Sequence, residues 1–266
     1  MRESLEIARR YCGPPDSGNG GYVAGLLASR ADPRGAVQVR LHRPPPLQAA
    51  LELRRTADAT ELVHDGVTLA TAGPGVLPQL LPARRTTFEA ASSLSRSYPG
   101  FHRHPFPTCF VCGPDRAPGD GLRIFPGPWH AGHVVAPWVP HAALDRGDGT
   151  VAPEHLWAAL DCPGYFAAAQ DGRPMLLGQI TARLGRPVRI DEPCIVIGWR
   201  LGSTGRKHRV GTAIYGEGRQ LRGVAEALWI EPRPASDSVS PSGSHPQPQS
   251  IATVSSSPGL TTPRAA

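Results

Sequence analysis

Residues 152–169, APEHLWAALDCPGYFAAA, constrain the fold most: they are almost wholly apolar, and beyond Glu154 at the start the one carboxylate is Asp161, in the middle. Pro153 suits the first helical position, where its missing N–H costs nothing, and Glu154 follows where negative charge favours the helix dipole. A helix is expected to start near Ala152. Leu156, Trp157, Leu160, Tyr165 and Phe166 cover more than one of its faces, the pattern of a helix wrapped by other structure, and a sheet is the expected wrapping. Pro163 cannot donate to the Ala159 carbonyl and crowds it, so the backbone should kink or unwind beside Asp161. Asp161 then has two readings. It caps the backbone or sits at a solvent edge, or it is a carboxylate in apolar surroundings whose shifted proton affinity serves chemistry.

A chain of 266 residues can hold one large domain or two modest ones. The net charge of +6 could suit a polyanion, but the basic residues are nearly all arginine, with Lys207 the single lysine, and they are scattered apart from Arg206, Lys207, His208 and Arg209. Few aromatics accompany them, so nucleic acid is not the expected partner. No stretch reaches the roughly 18 to 20 apolar residues of a membrane span, and MRESLEIARRY lacks the apolar core of a secretion signal, so a cytoplasmic protein without a membrane partner is expected. Five cysteines, an odd and small number for the length, argue against a disulfide framework.

Along the chain, SLEIARRY fits a strand or a helical turn. Asn19-Gly20-Gly21 then opens a short helical run, Tyr22 to Arg30. The glycine pair is either a flexible turn or a place where free N–H groups at a helix start approach a ligand. From residue 36 to 73 four short β-like runs follow, with a hairpin signal at Asp65-Gly66. Residues 74–104 read as a surface connector with one helix over 86–94. Residues 105–131 are punctuated by Pro and Gly, GHVVAPWV (132–139) reads as a strand, and the Asp161 helix comes next. Four more β runs fill residues 175–230. Each half is thus one helix followed by an antiparallel sheet, as a diverged duplication would be. Residues 233–266, rich in Ser, Pro and Thr, are expected to be disordered.

CFVCGPDRAPGDGLRIFPG (109–127) resembles the entry to the first strand in many small-molecule hotdog thioesterases, and LWAALDCPGYFAA is similar to the central helix of the phenylacetate-type enzymes. The runs RPV, IVIGW, GRKHRVGTAIYGEG and VAEALWI also fit that family. The resemblance covers residues 105–231 well and 1–73 weakly. It implies an α+β fold of two hotdog units, each an antiparallel sheet wrapped around a central helix: a diverged first unit at 1–73 and a second at 105–232. It also implies roles. In these enzymes a glycine N–H at the helix start polarises the thioester carbonyl, and an acid two turns later activates water or attacks. Here the parts are divided: Asn19-Gly20-Gly21 is kept where the later acid position is Ala28, and Asp161 is kept where the turn is Pro153-Glu154. One composite site is expected, with the Gly20 and Gly21 amides as oxyanion donors, Asp161 as base or nucleophile, and Asn19 and Tyr22 beside the substrate.

The expected activity is hydrolysis of an acyl-thioester, an acyl-CoA first among them. A non-catalytic acyl-thioester binding protein and an enoyl-thioester hydratase using His155 are the alternatives. Arg206 and Lys207 either grip coenzyme A phosphates or form an exposed turn. Cys109-x-x-Cys112 with His102 and His104 has the residue types of a zinc knuckle, but both histidines precede the first cysteine and the terminal histidine pair of a finger is missing. The pair reads as a packed, reduced strand entry, Cys162 as a neighbour of Asp161, and no metal or cofactor is expected. The tryptophans read as core. Fused hotdog pairs often pair again, so a homo-oligomer is open, though no residue signals one.

Overall fold

Alternating apolar residues in short runs give strands, and here the strands join into one sheet. The structure is a computed structural model that describes residues 3–31, 35–78, 86–169 and 171–233; the Ser/Pro-rich segment expected to be disordered lies outside these but for Arg233. In chain order the elements are β1 (Glu3–Leu5), α1 (Gly20–Ala28), β2 (Ala36–Leu41), β3 (Leu51–Arg55), β4 (Thr60–His64) and β5 (Val67–Gly75). Then come α2 (Phe88–Ser95), β6 (Gly127–His130), β7 (His133–Trp138), α3 (Pro153–Ala159) and α4 (Cys162–Ala168). Strands β8 (Leu176–Leu184), β9 (Cys194–Thr204), β10 (Lys207–Tyr215) and β11 (Leu221–Ile230) complete the set. Among the described residues the sheet has eleven strands in the order β1-β3-β4-β5-β2-β8-β11-β10-β9-β7-β6, and its neighbours are antiparallel.

Strands β2 and β8 join its two ends, with Val37 opposite Ala182 and Val39 opposite Ile180. Gln38 donates to Thr181 Oγ1 (3.3 Å) and Arg40 to Gln179 Oε1 (3.1 Å) across this seam. The expected Asp65-Gly66 hairpin is present: both residues have positive φ (48° and 76°), as a two-residue turn matched to strand twist requires.

One face of the sheet carries the main core. Helix α1 lies against β2, β4 and β5, and α4 against β7, β9 and β10. The other face is covered over β6, β7 and β9 by α2, where Ala91 meets Val135, Ile197 and Trp199. Strand β9 is therefore apolar on both faces, which explains its nearly unbroken run CIVIGW. The segment expected to be a surface connector thus supplies a covering helix, capped by Thr87 through its hydroxyl to Ala90 N–H (3.2 Å).

SLEIARRY divides into β1 and a 3-10 turn over Arg9–Tyr11. A second departure concerns residues 109–126, expected to lead into a strand at the LR pair. Arg123 has φ of 51°, which breaks extended backbone, and the segment forms turns tied by Leu122 N–H to Phe110 O (2.8 Å) and Ile124 N–H to Val111 O (2.9 Å). It is fastened to the N-terminal half by Phe110 N–H to Cys12 O (2.8 Å). Among the described residues, no helix is long and apolar enough to cross a membrane.

Candidate active site

The proline does what its chemistry requires. Helix α3 ends at Ala159, α4 starts at Cys162, and Asp161 sits in the break with φ −86° and ψ −76°. The Leu160 carbonyl is satisfied by the Thr212 hydroxyl of β10 (2.7 Å). Helix α4 then lies directly on the sheet: a Cβ on Gly198 would come within 2.4 Å of Pro163 O, and one on Gly164 within 2.6 Å of Val210 Cγ2. These contacts fix where the Asp161 carboxylate can point.

Its partners come from α1. Gly21 and Gly25, one turn apart, form a stripe without side chains on which α3 rests. A Cβ on Gly21 would meet Asp161 Cβ at 2.5 Å and Trp157 O at 2.7 Å, and a Cβ on Gly25 would meet Glu154 Cα at 2.5 Å. Advancing along α1 thus retreats along α3, so the two helices are antiparallel. The close approach brings Gly21 N–H to Asp161 Oδ2 at 2.9 Å, and Asn19 Nδ2 to the same oxygen at 3.1 Å. Asn19 works at both ends of its amide, because its Oδ1 caps α1 through Tyr22 N–H (2.9 Å). Glycine at 21 is needed for a neighbouring helix and a carboxylate. The Gly21 N–H expected to face an oxyanion is already given to Asp161. Gly20, the first residue of α1, has no acceptor for its N–H within the helix and lines the cavity described below.

Asp161 is 1% exposed. Burial pushes its carboxyl up to about 7; the Gly21 N–H opposes this, Cys109 adds to it, and Asn19 again opposes it. While Oδ2 takes both hydrogen bonds, Oδ1 is buried with no hydrogen-bond partner. A lone buried carboxylate oxygen is costly to leave unused.

Asp161 and Gly20 border a cavity of about 300 Å³ between the start of α1, the end of β2 and the start of β8. Leu41, Met175, Leu177, Trp229 and Ile230 make its wall largely apolar. At the exposed end stand Arg43 and Arg206. Arg206 belongs to the β9–β10 hairpin turn and donates to Glu231 O (2.6 Å). Thus Asn19, Gly20, Gly21, Asp161 and Arg206 come together, although residues 19–21 and 161 are some 140 positions apart in the chain.

Two expected substrate contacts do not reach the cavity. Tyr22 is buried on the other side of α1, stacked on Tyr11 at 4.0 Å and on His155 at 5.7 Å, because a residue next to Gly21 in a helix points about 100° away from it. Lys207 is the first residue of strand β10, just after the turn, and is exposed outside the cavity lining. His155 shares the aromatic stack, away from the cavity lining, with burial lowering its pKa to about 4. Trp229, read as core, also lines the cavity.

Reasoning from sequence missed Arg43, and it named His104 and Cys162 without placing them at the cavity. Arg43 precedes a run of three prolines that stiffens the cavity rim, a signal available in HRPPP. Cys162 lies with Cys109 and Cys112, their three sulfurs within 4.8 Å of one another.

No protein-family model and no curated protein sequence matches the chain. Solved structures do match its fold. An acyl-CoA thioesterase II from Mycobacterium marinum superposes with a TM-score of 0.57 at 16% identity, over 88% of this chain and 94% of that one. The tesB protein of Mycobacterium avium subspecies paratuberculosis gives 0.56 at 14% identity, over 87% and 93%. A conserved protein with a hot dog fold from Alicyclobacillus acidocaldarius gives 0.50 at 12% identity, over 88% and 94%. With its helices laid against one antiparallel sheet, this chain is a hotdog-fold protein.

Proposed function

We propose that the chain is two hotdog units fused in one polypeptide, meeting at β2 and β8, and that it hydrolyses an acyl-thioester, an acyl-CoA, at one composite site between them. The observation that carries this reading is Asp161 of the second half accepting hydrogen bonds from Gly21 N–H and Asn19 of the first, at the buried end of an apolar cavity. The acyl group lies along Leu41, Leu177 and Trp229, and the carrier's phosphates meet Arg43 and Arg206.

In the reaction Asp161 Oδ1 takes a proton from water as its oxygen attacks the thioester carbon. The carbonyl oxygen becomes an oxyanion against the Gly20 N–H. The C–S bond then breaks, and the proton held on Asp161 passes to the departing thiolate. Asn19 and the Gly21 N–H hold the carboxylate rather than the substrate. General base catalysis contributes about 10² to 10⁴ in rate, and an oxyanion donor about 10² to 10³. Two structures of similar fold are described as a tesB protein and an acyl-CoA thioesterase II, which supports the reading at the level of reaction class.

The test is thiol release from short, medium, long and aromatic acyl-CoAs. The reading expects the wild type to turn over at least one of them. Tight binding of an acyl-CoA without turnover would replace it with the binding-protein alternative.

A further inference from the structure

The cysteines that flank the site were not needed for any step above. Cys109 and Cys112 come from the loop before β6, and Cys162 from the first turn of α4; all three are buried and free. The Cys109 and Cys162 sulfurs are 3.7 Å apart. Four ligands around zinc with Zn–S of about 2.3 Å stand about 3.8 Å from one another, which this separation matches, and all three sulfurs lie within 4.8 Å of one another.

The surroundings suit a thiolate at Cys109, while burial pushes the Cys112 and Cys162 thiols up, so those two would lose their protons only to a bound metal. The backbone N–H groups of Val111 and Cys112 turn to the Cys109 sulfur, Asn19 Nδ2 lies 3.9 Å from both Cys109 and Cys162, and His104 Nε2 lies 3.3 Å from Cys112. Gly113 lets the loop fold back on itself, since a Cβ there would lie 2.5 Å from Pro107 O and 2.6 Å from Cys109 O. N–H donors around sulfur are what hold and tune metal thiolates.

We propose that Cys109, Cys112 and Cys162 bind one zinc ion, with the fourth position open to the cavity that all three border. His104 acts as a positioning residue. Its Nδ1 accepts from Phe106 N–H (2.9 Å), so the proton sits on Nε2 and is donated to Cys112. Soft thiolates select zinc over magnesium or calcium. The ion would join the 109–112 loop to α4 and so brace the turn that carries Asp161. This inference does not rest on thioester hydrolysis and is tested without it.

The experiment is metal analysis of the full chain purified under reducing conditions without chelator, followed by cobalt titration of the chelated protein. One equivalent of zinc is expected, with cobalt giving thiolate charge-transfer bands and tetrahedral visible bands that saturate at one equivalent. Cys109→Ser and Cys162→Ser should each lose the zinc, and His104→Ala should keep the stoichiometry with affinity lowered about 10- to 100-fold. Folded wild type that holds no zinc and gives no cobalt–thiolate band, or that is isolated with a Cys109–Cys162 disulfide, overturns the proposal. So does zinc retained in both serine variants. Because the cobalt spectrum is read on wild type, a serine variant that fails to fold leaves the test intact.

Discussion

The starts of α1 and α3 occupy opposite ends of one antiparallel helix pair, and they have been built differently. At the α1 end Asn19 caps the helix, Gly20 and Gly21 present N–H groups, and the facing residue is Asp161. At the α3 end Pro153 has no N–H to present, no side chain caps the helix, and Ala28 stands where α1 would need an acid. Tyr11, Tyr22, Phe110 and His155 pack beside it as an aromatic cluster. The helix packing is alike at both ends, with a glycine of α1 against α3 backbone each time. Close packing is thus common to the two ends, and the proposed reading assigns chemistry to one. On that reading a fused pair leaves one of two equivalent positions to stability, provided that the other draws parts from both halves.

This contrast can be tested by making matched changes at each end. Gly21→Ala should have the largest effect: the new methyl meets Asp161 Cβ and Trp157 O, costs about 1 to 3 kcal/mol in stability, and turns the carboxylate away, lowering kcat by about 10². Thermal unfolding beside acyl-CoA turnover reads both. At the other end, His155 gives an acid-sensitivity that belongs to stability alone. Its folded pKa of about 4 lies below the ordinary 6.5, because burial first, then Arg10 and His141, disfavour the cation. The unfolded chain therefore binds the proton first, and stability present above pH 6.5 falls as the pH drops to about 4, by roughly 3 kcal/mol. His155→Phe should flatten that part of a urea-unfolding pH series while leaving acyl-CoA turnover at neutral pH intact. Loss of turnover in that variant would give His155 a part in the chemistry, and only water addition to an enoyl-CoA would bring the hydratase reading back.

Gly25→Ala should cost about 1 to 3 kcal/mol in thermal stability, comparable to Gly21→Ala, with turnover of the folded fraction reduced far less. If both glycine variants lose activity equally, the ends are not functionally distinct. The smallest change is expected at the rim, where Arg206→Ala should raise KM a few-fold in low salt with kcat unchanged, and added salt should erase the difference.

Much of this was legible in the residues. Short alternating runs located the strands from β2 to β5 and β8 to β11, and Pro163 located the helix break, because both signals are local. The complementary losses at Ala28 and Pro153 pointed to Asp161 meeting Asn19-Gly20-Gly21, and hydrogen bonds from Gly21 N–H and Asn19 Nδ2 join them. Register and packing decide the rest, and neither is local. Whether Gly21 gives its N–H to a substrate or to a carboxylate depends on how near α3 comes, which Gly25 and Ala158 set from other parts of the chain. Tyr22 was misread because its neighbour's role does not extend around a helix. Cys162 joined Cys109 and Cys112 only when the 109–112 loop folded against α4, a contact no spacing rule reports.

The most direct measurement is thiol release by the wild type beside Asp161→Asn, both checked for native unfolding. The variant keeps the shape of the side chain and removes the base. Turnover by the wild type and a loss of about 10² to 10⁴ in the variant is the predicted result. An Asp161→Asn protein that hydrolyses acyl-CoA as the wild type does would contradict the account.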